Sequence, residues 1–468
     1  MASTSDAKSR APSLRDTIAS ALNALPNAQQ LGLTVVSSSP KRTTALFPHS
    51  PSAGVRCWEV EHLVVVHSAL PDGSTPEPSP NVLAAAISAH VFTLPTAPGA
   101  PPTSLLYISK VDSSGYAPPG APLTRELAVG VLRHFLAPAT RPTPRVAATL
   151  FARSQGQYLF PNSVEGGGKR VLGGLGLCGW WKGVYEEGAR RLVADGVPAA
   201  DLDLRYLLPS YSAAEASGML GAPRRPLPAG VSWRYAPPFV AQLLPESGVP
   251  SVATLVPSLP DDPKTRFLDE LVAEAIDAVP IALTKPGKDK DGSEQRKRTA
   301  KEKDAAAEEE DRERAHAALA KIPPEEFWER LGFRQECVSG DVTGFFSATL
   351  DPSEGGAGEA AKAKEAKEKE TKDGEKPDGT KRTLSQALVE RLLKSMLNTD
   401  FATRALAAEG TAHWLASARS IVVDELGEEG WAASTATIAA KAGVDAPAAP
   451  PKRKEETVTM LQPRKKKK

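Results

Sequence analysis

Residues 157–181 read QYLFPNSVEGGGKRVLGGLGLCGWW and combine an aromatic turn, a glycine-rich basic loop and a tandem tryptophan pair. Aromatic residues make up only 6% of the chain, so their concentration in this segment is unusual. Lys169 and Arg170 separate the two apolar ends, which makes the segment a poor candidate for ordinary core. We therefore expect residues 157–181 to line a binding pocket.

The length and composition indicate one elaborated domain with tails. At 468 residues and 41% hydrophobic content, the chain can bury a large core. Its 42 prolines, 36 glycines and long charged runs indicate that much of it is loop or disordered. No run of 18 apolar residues occurs, and the first residues lack the charged-then-apolar pattern of a secretion signal. We expect a soluble protein that is not secreted and does not bind a membrane.

The three cysteines, Cys57, Cys178 and Cys337, lie far apart and form no CxxC pair. This spacing argues against a zinc site and against a disulfide framework. We expect inert structural thiols, a reducing compartment and no bound metal.

Charge is arranged in blocks, although the formal net charge is only +1. Basic residues crowd positions 295–303 and 452–468, and EEEDRE occupies positions 308–313. The clusters PKRK at 451–454 and RKKKK at 464–468 favour nuclear import, or attraction to acidic chaperones and nucleic acid. A solvated tail without a partner is the alternative.

Hydrophobic periodicity predicts a mixture of strands and helices, and hence an α/β domain. Strands are predicted over residues 32–36, 55–67, 82–94 and 104–110. Helices are predicted over residues 13–25, 264–279, 384–397 and 401–426, with a further helix that begins at Thr124 with a Thr-Arg-Glu capping signature.

Composition divides the chain into core segments and charged inserts that are too poor in apolar residues to fold alone. The predicted order is a disordered stretch at 1–12, core at 13–283, a charged insert at 284–322, a return to core at 323–350, a second charged insert at 351–382, C-terminal helices of the core at 383–430, and a linker with the basic tail at 431–468.

Three blocks of the sequence resemble one known family. QYLFPNS, a basic pair, V-L and W-W within residues 157–181, KVDSSGY at 110–116 and PDDPKTRF at 260–267 are similar in order to the fungal-specific histone H3 lysine acetyltransferases, which are relatives of the CBP-type acetyltransferases. The basic end TMLQPRKKKK at 459–468 resembles the terminus of that family. The resemblance implies an acetyltransferase fold with a central mixed β-sheet surrounded by helices, with acetyl-CoA as co-substrate.

The resemblance also assigns residues to the cofactor. The positions expected to contact acetyl-CoA are Val111, Asp112, Ser113, Ala121, Pro122, Leu123, Thr124, Arg125, Phe151, Gln155, Arg170, Val171, Leu172 and Trp180. Without the family, residues 112–115 (DSSG) are simply a turn between two elements.

Glycines in the same segment resemble phosphate-binding motifs only in part. Residues 174–179 fit GxGxxG, but a tryptophan pair follows at once and no βαβ context surrounds them. Residues 170–175 nearly copy the R-x-x-G-x-G/A loop of another acetyltransferase superfamily and fail at Leu175. Backbone amides beside Lys169 and Arg170 still suit a pyrophosphate and a ribose phosphate, as in coenzyme A. A plain glycine loop with solvated cations is the alternative.

Asp261 and Asp262 are adjacent carboxylates that are candidates for proton transfer. A lysine must lose its proton before it attacks a thioester, and at neutral pH this costs roughly 4–5 kcal/mol. On the sequence alone, helix capping is the favoured explanation of Asp262-Pro263-Lys264. The family resemblance implies that Asp262 is the proton donor and acceptor and that Lys264 is acetylated by the enzyme itself.

Tyr158 and Trp181 are the remaining candidates for the catalytic site. On residue type alone they are aromatic core, whereas the resemblance places both at the channel for the substrate lysine. Aromatic walls carry the aliphatic stem of a lysine, and a phenol donates to a developing oxyanion.

The chain departs from well-known family members between residue 136 and Phe151. It has only APATRPTPRVAATL there, where those members carry a long insertion that covers the substrate face. Docking of histones and chaperones through that loop is therefore not expected. The basic tail becomes the stronger candidate for tethering an acidic histone chaperone.

The resemblance thus implies a nuclear histone acetyltransferase that transfers acetyl groups to histone H3, presented with H4 by histone chaperones. The resemblance implies roles in chromatin assembly, the DNA damage response and genome stability, and the tail suggests a DNA or chromatin contact. Two alternatives stay open. One is a catalytically inactive chromatin or chaperone adaptor with the same fold, and the other is an acyl-CoA transferase that acts on non-histone proteins.

Overall fold

The computed structural model describes residues 11–25, 30–49, 56–69, 80–95, 101–118, 122–166, 168–239, 252–277, 300–334, 341–351 and 382–439. Sequence predictions for residues 1–10, 284–299, 352–381 and 440–468, and those for Ala121 and Cys337, lie outside these ranges. Within the described residues, no helix combines the length and the apolar character that crossing a membrane requires. The same part of the chain has no group of three His, Cys, Asp or Glu residues placed to hold a metal ion.

The centre of the molecule is a ten-stranded mixed sheet with the order β10-β1-β3-β4-β5-β6-β9-β7-β8, to which β2 adds by pairing with β3. The strands are β1 Leu31–Ser37, β2 Lys41–Thr43, β3 Cys57–Ala69, β4 Asn81–Thr93, β5 Thr103–Ser113, β6 Arg145–Ala152, β7 Leu202–Leu207, β8 Trp233–Tyr235, β9 Gly344–Leu350 and β10 Thr435–Ile438. Among the strands of the described residues, the pairs β5–β6 and β7–β8 are parallel and the others antiparallel. The predicted α/β class with a central mixed sheet is confirmed.

Helices cover this sheet on both faces. They are α1 Leu14–Asn23, α2 Leu123–Leu136, α3 Gly174–Ala194, α4 Ala213–Leu220, α5 Val252–Leu255, α6 Pro263–Asp277, α7 Ala300–Leu319, α8 Pro324–Gly332, α9 Gln386–Leu397 and α10 Arg404–Ser434. The central strand β4 is buried continuously over residues 82–92, as expected for a strand with helices on both sides.

Three apolar clusters correspond to these layers. Helices α1, α2 and α3 pack on one face over residues such as Leu106 and Ala148. On the other face, α5, α6 and α8 cover Leu105 and Ala147, and α9 and α10 cover β3 and β4. Successive residues of β5 and β6 therefore point into different cores, which is the period-two alternation of a strand.

Local signals explain where several helices begin. Ser13 and Asp16 form a capping box at α1. The Asp262 carboxylate accepts the Lys264 N–H at 2.9 Å at the start of α6, so the predicted helix cap is present. The prediction of a capped helix start at Thr124 was wrong, because α2 begins at Leu123 and no side chain caps its first turn.

Two stretches predicted to lie outside the core form regular structure. Residues 300–319 of the predicted charged insert form α7, and the C-terminal end of this helix buries Ala315, Ala318 and Leu319. Residues 435–438, predicted as linker, form β10 and pair antiparallel with β1. The helix predicted to end at 426 continues to Ser434 through a kink at Gly427, whose φ of 72° suits glycine.

The core beneath α2 contains two neutral histidines that make stability depend on pH. Burial lowers the pKa of His62 to about 3 and that of His134 to about 4. Their ring nitrogens meet Ser37 at 2.8 Å and Thr17 at 3.0 Å. In the unfolded chain these histidines become protonated as pH falls below about 6.5, whereas in the folded protein they stay neutral to a lower pH. The free energy of unfolding therefore decreases as pH falls below about 6.5.

We predict that replacing His134 with Gln weakens this dependence. Between pH 6.5 and pH 5 the free energy of unfolding of the unmodified protein should lose about 2 kcal/mol more than that of His134→Gln, as linkage requires for one suppressed protonation. Urea unfolding at several pH values measures the difference. The exposed His413→Gln variant is the control, and equal slopes for all three proteins would contradict the prediction.

Candidate functional site

The cavity that the sequence-predicted residues line opens where β5 and β6 end side by side, and the loop over residues 153–173 and the start of α3 enclose it. Its volume is about 210 Å³. Twelve of the residues singled out from the sequence line it: Val111, Asp112, Ser113, Thr124, Phe151, Gln155, Tyr158, Arg170, Val171, Leu172, Trp180 and Trp181. The segment 157–181 therefore contributes to a pocket wall, as its composition predicted.

The start of α2 contributes less to this cavity than the sequence suggested. Leu123 is buried in the apolar core, and Arg125 donates to the Gly183 carbonyl at 3.1 Å, which ties α2 to α3. Pro122 is exposed, and neither it nor those two residues line the cavity, whereas Thr124 does.

The tandem tryptophans lie on the first turns of α3 and meet edge to face, with ring centroids 4.8 Å apart. Trp181 is only 6% exposed and belongs to the main apolar cluster, yet it also forms part of the cavity wall. Trp181 is therefore both a core residue and a part of the cavity wall.

Asp112 connects the end of β5 to the aromatic turn. Its Oδ2 accepts the backbone N–H groups of Tyr158, Leu159 and Phe160 at 2.8, 2.9 and 3.3 Å. Its Oδ1 accepts the Lys169 ammonium at 2.6 Å, and both side chains are about 5% exposed. Asp112 is thus the buried residue that holds the loop, rather than the turn residue that DSSG suggested.

Two glycines permit this close packing. Gly115 has φ 87°, and a Cβ there would lie 2.6 Å from the Lys169 nitrogen. A Cβ on Gly168 would lie 2.7 Å from the Gly115 oxygen. The glycine-rich loop therefore serves backbone approach to the β5 turn.

The expected anion site at the glycine-rich motif is occupied by protein groups. Gly174 is the first residue of α3, and its N–H donates to the Asp341 carboxylate at 2.6 Å. Lys169 is buried against Asp112 and Ser163. This corrects the view that Lys169 and the backbone amides await a pyrophosphate, because carboxylates already neutralise both.

Arg153 is a site residue that the sequence reasoning missed. It directly follows β6 and lines the cavity, as Arg170 does. In the described part of the chain, neither guanidinium forms an ion pair with a carboxylate. The position of Arg153 could have identified it, because a cation just beyond the carboxyl end of a strand in an α/β sheet faces the ligand crevice. Lys169, which the sequence had also indicated, belongs to the wall, and the residues that complete it without having been predicted are Ile108, Ser109, Leu150, Ala152, Ser154 and Leu177.

Tyr158 faces the cavity with a protonated hydroxyl. Burial raises its pKa to about 12, the Asp112 carboxylate adds to the rise, and the Arg153 guanidinium opposes it. The phenol is therefore a hydrogen-bond donor throughout the physiological pH range.

Asp262 and Lys264 form a buried ion pair next to the cavity but not in its wall. Each side chain is 1% exposed. The Lys264 ammonium lies 4.9 Å from the centre of the Phe345 ring and 5.2 Å from that of Phe239. Phe345 in turn contacts Phe151 of the cavity wall, with ring centroids 4.7 Å apart. Packed aromatic rings thus connect the α6 cap with the cavity.

Asp261 does not act with its neighbour. Its side chain is 70% exposed and pairs with Lys110, and its φ of 57° turns the chain away from Asp262. The two carboxylates therefore do not form the paired site that their adjacency suggested.

We predict that Asp112→Asn destabilises the protein strongly, because Lys169 would be left buried without its counter-charge. The expected loss in the free energy of unfolding is about 3–5 kcal/mol, measured by chemical denaturation. Adding Lys169→Met should restore part of it. Asp195→Asn, which breaks a pair with Arg133 whose side chains are 30% and 34% exposed, should cost under about 1 kcal/mol. Similar losses for both aspartates would contradict the assignment.

Comparison with solved structures supports the fold. The chain resembles the crystal structure of Rtt109 from Aspergillus fumigatus with a TM-score of 0.64 and 22% identity, over 92% of this chain and 100% of that one.

Relatives in sequence agree with the structural comparison. The chain is 29% identical over 351 residues to the histone acetyltransferase rtt109 of Aspergillus flavus, covering 70% of this chain and 55% of that protein. It is 26% identical over 259 residues to the histone acetyltransferase rtt109 of Schizosaccharomyces pombe, covering 53% and 52%. The chain spans about half the length of these relatives. Residues 124–417, well over half of the sequence, match the family model described as the histone acetyltransferase KAT11-type domain. The chain is a member of the KAT11-type histone acetyltransferase family, as its sequence blocks predicted.

Proposed function

We propose that this protein is an acetyl-CoA-dependent lysine acetyltransferase that acts on histone H3. The observation that carries the proposal is the cavity at the ends of β5 and β6, whose wall combines a tandem tryptophan pair, a half-buried protonated tyrosine and two guanidinium groups that form no ion pair with the described residues. Membership of the KAT11-type family supports the same reaction.

Coenzyme A carries phosphates at one end and the thioester at the other, and the cavity wall contains both positive charge and apolar surface. Arg153 and the exposed Arg170 provide positive charge, whereas Trp180, Leu172 and Leu177 provide apolar wall. Guanidinium groups bind phosphates through paired, charge-assisted hydrogen bonds. We place the phosphates at the arginines and the acetyl group beside Trp180 and Trp181. Of the predicted contacts, Pro122, Leu123 and Arg125 would act by supporting α2.

When bound, acetyl-CoA supplies an activated acetyl group. Trp181 and Tyr158 would line the path of the incoming lysine, whose aliphatic stem lies well against aromatic rings. The Tyr158 hydroxyl, protonated because burial raises its pKa to about 12, would donate a hydrogen bond where negative charge develops on oxygen or sulfur. Apolar surroundings also favour the neutral amine over the ammonium.

Asp262 is our candidate for the group that accepts the proton of the lysine, and Lys264 is the candidate regulator. In this structure the Lys264 ammonium forms an ion pair with the Asp262 carboxylate. Acetylation of Lys264 by the enzyme would remove that charge and leave the carboxylate free to accept a proton. Because the Lys264 side chain is 1% exposed, this modification requires the start of α6 to move away from Phe239 and Phe345.

The substrate and cellular setting complete the proposal. We propose H3 bound to H4 as substrate, presented by histone chaperones in the nucleus, with roles in chromatin assembly, the DNA damage response and genome stability. The residues from 137 to 144 form only a short connection between α2 and β6, so this side of the site offers little surface for a chaperone. The basic stretch at 452–468 is the candidate contact for an acidic chaperone or DNA.

We predict that purified protein incubated with labelled acetyl-CoA transfers label to itself at Lys264 and to H3–H4. Lys264→Arg keeps the positive charge and cannot be acetylated, so histone turnover should fall at least about tenfold, a barrier change of about 1.4 kcal/mol, while the melting temperature changes little. Mass spectrometry and filter binding provide the measurements. Absence of label from both proteins would favour the inactive adaptor, and equal turnover in the variant would refute the role of Lys264.

We predict separately that Arg153→Ala and Arg170→Ala each raise KM for acetyl-CoA about tenfold with little change in kcat, because the phosphates do not react. Arg382→Ala is the control, since this side chain is 51% exposed and does not line the cavity. An unchanged KM in the Arg153 variant would remove that residue from the phosphate site.

A further inference from the structure

The turn over residues 260–262 carries Asp262, and the attachment of this turn to the sheet decides where that carboxylate lies. Asp262 is 3% exposed and accepts the backbone N–H and the ammonium of Lys264, both of which belong to the start of α6. These bonds fix the carboxylate relative to its own helix. Its distance from the cavity therefore depends on contacts between the turn and the strands beneath it.

Tyr107 and Lys110 of β5 make such contacts. The Tyr107 hydroxyl donates to the Pro260 carbonyl at 3.1 Å, and the Lys110 ammonium forms an ion pair with the Asp261 carboxylate. Tyr107 is 3% exposed, whereas the side chains of Lys110 and Asp261 are 21% and 70% exposed. The turn is thus joined to β5 by a buried hydrogen bond and by an ion pair at the surface.

A bulge in β5 makes both contacts possible. The residue of β4 opposite Lys110 directly precedes the residue opposite Ile108, so Ser109 is an extra residue in β5. Residues three apart on a regular strand face opposite sides of the sheet, whereas this extra residue brings Tyr107 and Lys110 to the same side. Ser109 itself lines the cavity. The bulge therefore serves both the cavity wall and the attachment of the turn.

Tyr107 lies close to both Asp262 and the aromatic turn. Burial raises the pKa of its hydroxyl well above the usual value, and the nearby Asp262 and Asp261 carboxylates and the Tyr158 hydroxyl add to the rise. The Tyr107 hydroxyl therefore stays protonated and donates to Pro260. β5 thus lies beneath both the α6 start and the tyrosine of the cavity wall.

Asp261 has a backbone conformation that needs support. Its φ of 57° lies in the left-handed region, which residues other than glycine adopt rarely. Such a conformation persists where surrounding contacts hold it, and Lys110 supplies a contact to this same residue. Without the ion pair, Asp261 would be free to return toward negative φ, and that rotation would shift Asp262, the next residue.

We propose that Lys110 is a positioning residue for Asp262, on which it acts through Asp261. The ion pair holds the turn against β5, and the Tyr107 hydrogen bond supports the turn one residue earlier. Lys110 does not line the cavity, so it is given no contact with acetyl-CoA. The proposal rests on the proposed function, in which Asp262 accepts the proton of the lysine, and it gives the two adjacent carboxylates separate tasks.

Two magnitudes make this role testable. An ion pair in which one partner is largely exposed contributes little to the free energy of unfolding, because solvent screens it. A catalytic group that is misplaced by about 1 Å can lower a reaction rate by about a hundredfold. Loss of Lys110 should therefore reduce turnover in a protein that is still folded.

The test combines kcat and KM for acetyl-CoA in histone acetylation with hydrogen exchange over residues 260–267, all in the full-length protein. Lys110→Met should lower kcat about tenfold, leave KM unchanged and speed exchange of the Lys264 N–H, which donates to Asp262. Lys110→Arg keeps a cation for Asp261 and should retain most of the turnover. Lys394→Met is the matched control, because it removes the ammonium of another surface ion pair, with Glu390 on α9, and should change neither quantity.

A second variant separates positioning from direct catalysis. Asp261→Asn should lower kcat as much as Lys110→Met does, and the double variant should lower it no further, because both residues act through one contact. A much larger loss in Asp261→Asn than in Lys110→Met would mean that Asp261 acts on the substrate itself, and it would overturn the proposal.

Unchanged kcat or unchanged hydrogen exchange in Lys110→Met would also overturn the proposal. Hydrogen exchange requires no acetyl transfer, so it reports on the turn even in an inactive protein. If the unmodified protein does not label histones, the proposed function is contradicted, whereas faster exchange in Lys110→Met would still support Lys110 as the residue that holds the turn.

Discussion

One buried carboxylate holds the candidate site together. Asp112, at the end of β5, accepts three successive backbone N–H groups of the aromatic turn and the ammonium of Lys169. A loop without regular structure has no internal partners for its backbone groups, so it stays in a buried position only if side chains supply them. The position of Tyr158 in the cavity wall, and the path of the glycine-rich segment beside it, both follow from this single set of contacts.

The pairing of charged groups also explains where positive charge is available. Lys169 is neutralised by Asp112, the α3 N-terminus by Asp341, and Lys264 by Asp262. Arg153 and Arg170 line the cavity and form no ion pair with a carboxylate of the described residues. The glycine motif at the start of α3 thus allows close packing, and the positive charge at the cavity that is not paired belongs to side-chain guanidinium groups.

Sequence reasoning succeeded where a pattern is local. Alternation located β1, β3, β4 and β5, helical periodicity located α6 and α9, and the clustering of aromatic and basic residues located the cavity. It failed where the deciding partner is distant in the chain. Asp341 reaches the start of α3 across more than 160 residues, and β10 has an Ala- and Thr-rich sequence that becomes a strand only because β1 offers an unpaired edge. Arg153 carries no motif at all, and only the neighbouring ends of β5 and β6 give it significance.

The pairing of β10 with β1 has a consequence for biosynthesis. The first strand of the sheet acquires its outer neighbour only when residues 435–438 have left the ribosome, some four hundred residues after β1 itself. Until then β1 presents a row of open backbone groups, and an open sheet edge invites pairing with other chains. A truncation just before β10 would therefore leave this edge of the sheet unpaired, even though it spares every residue of the candidate catalytic site.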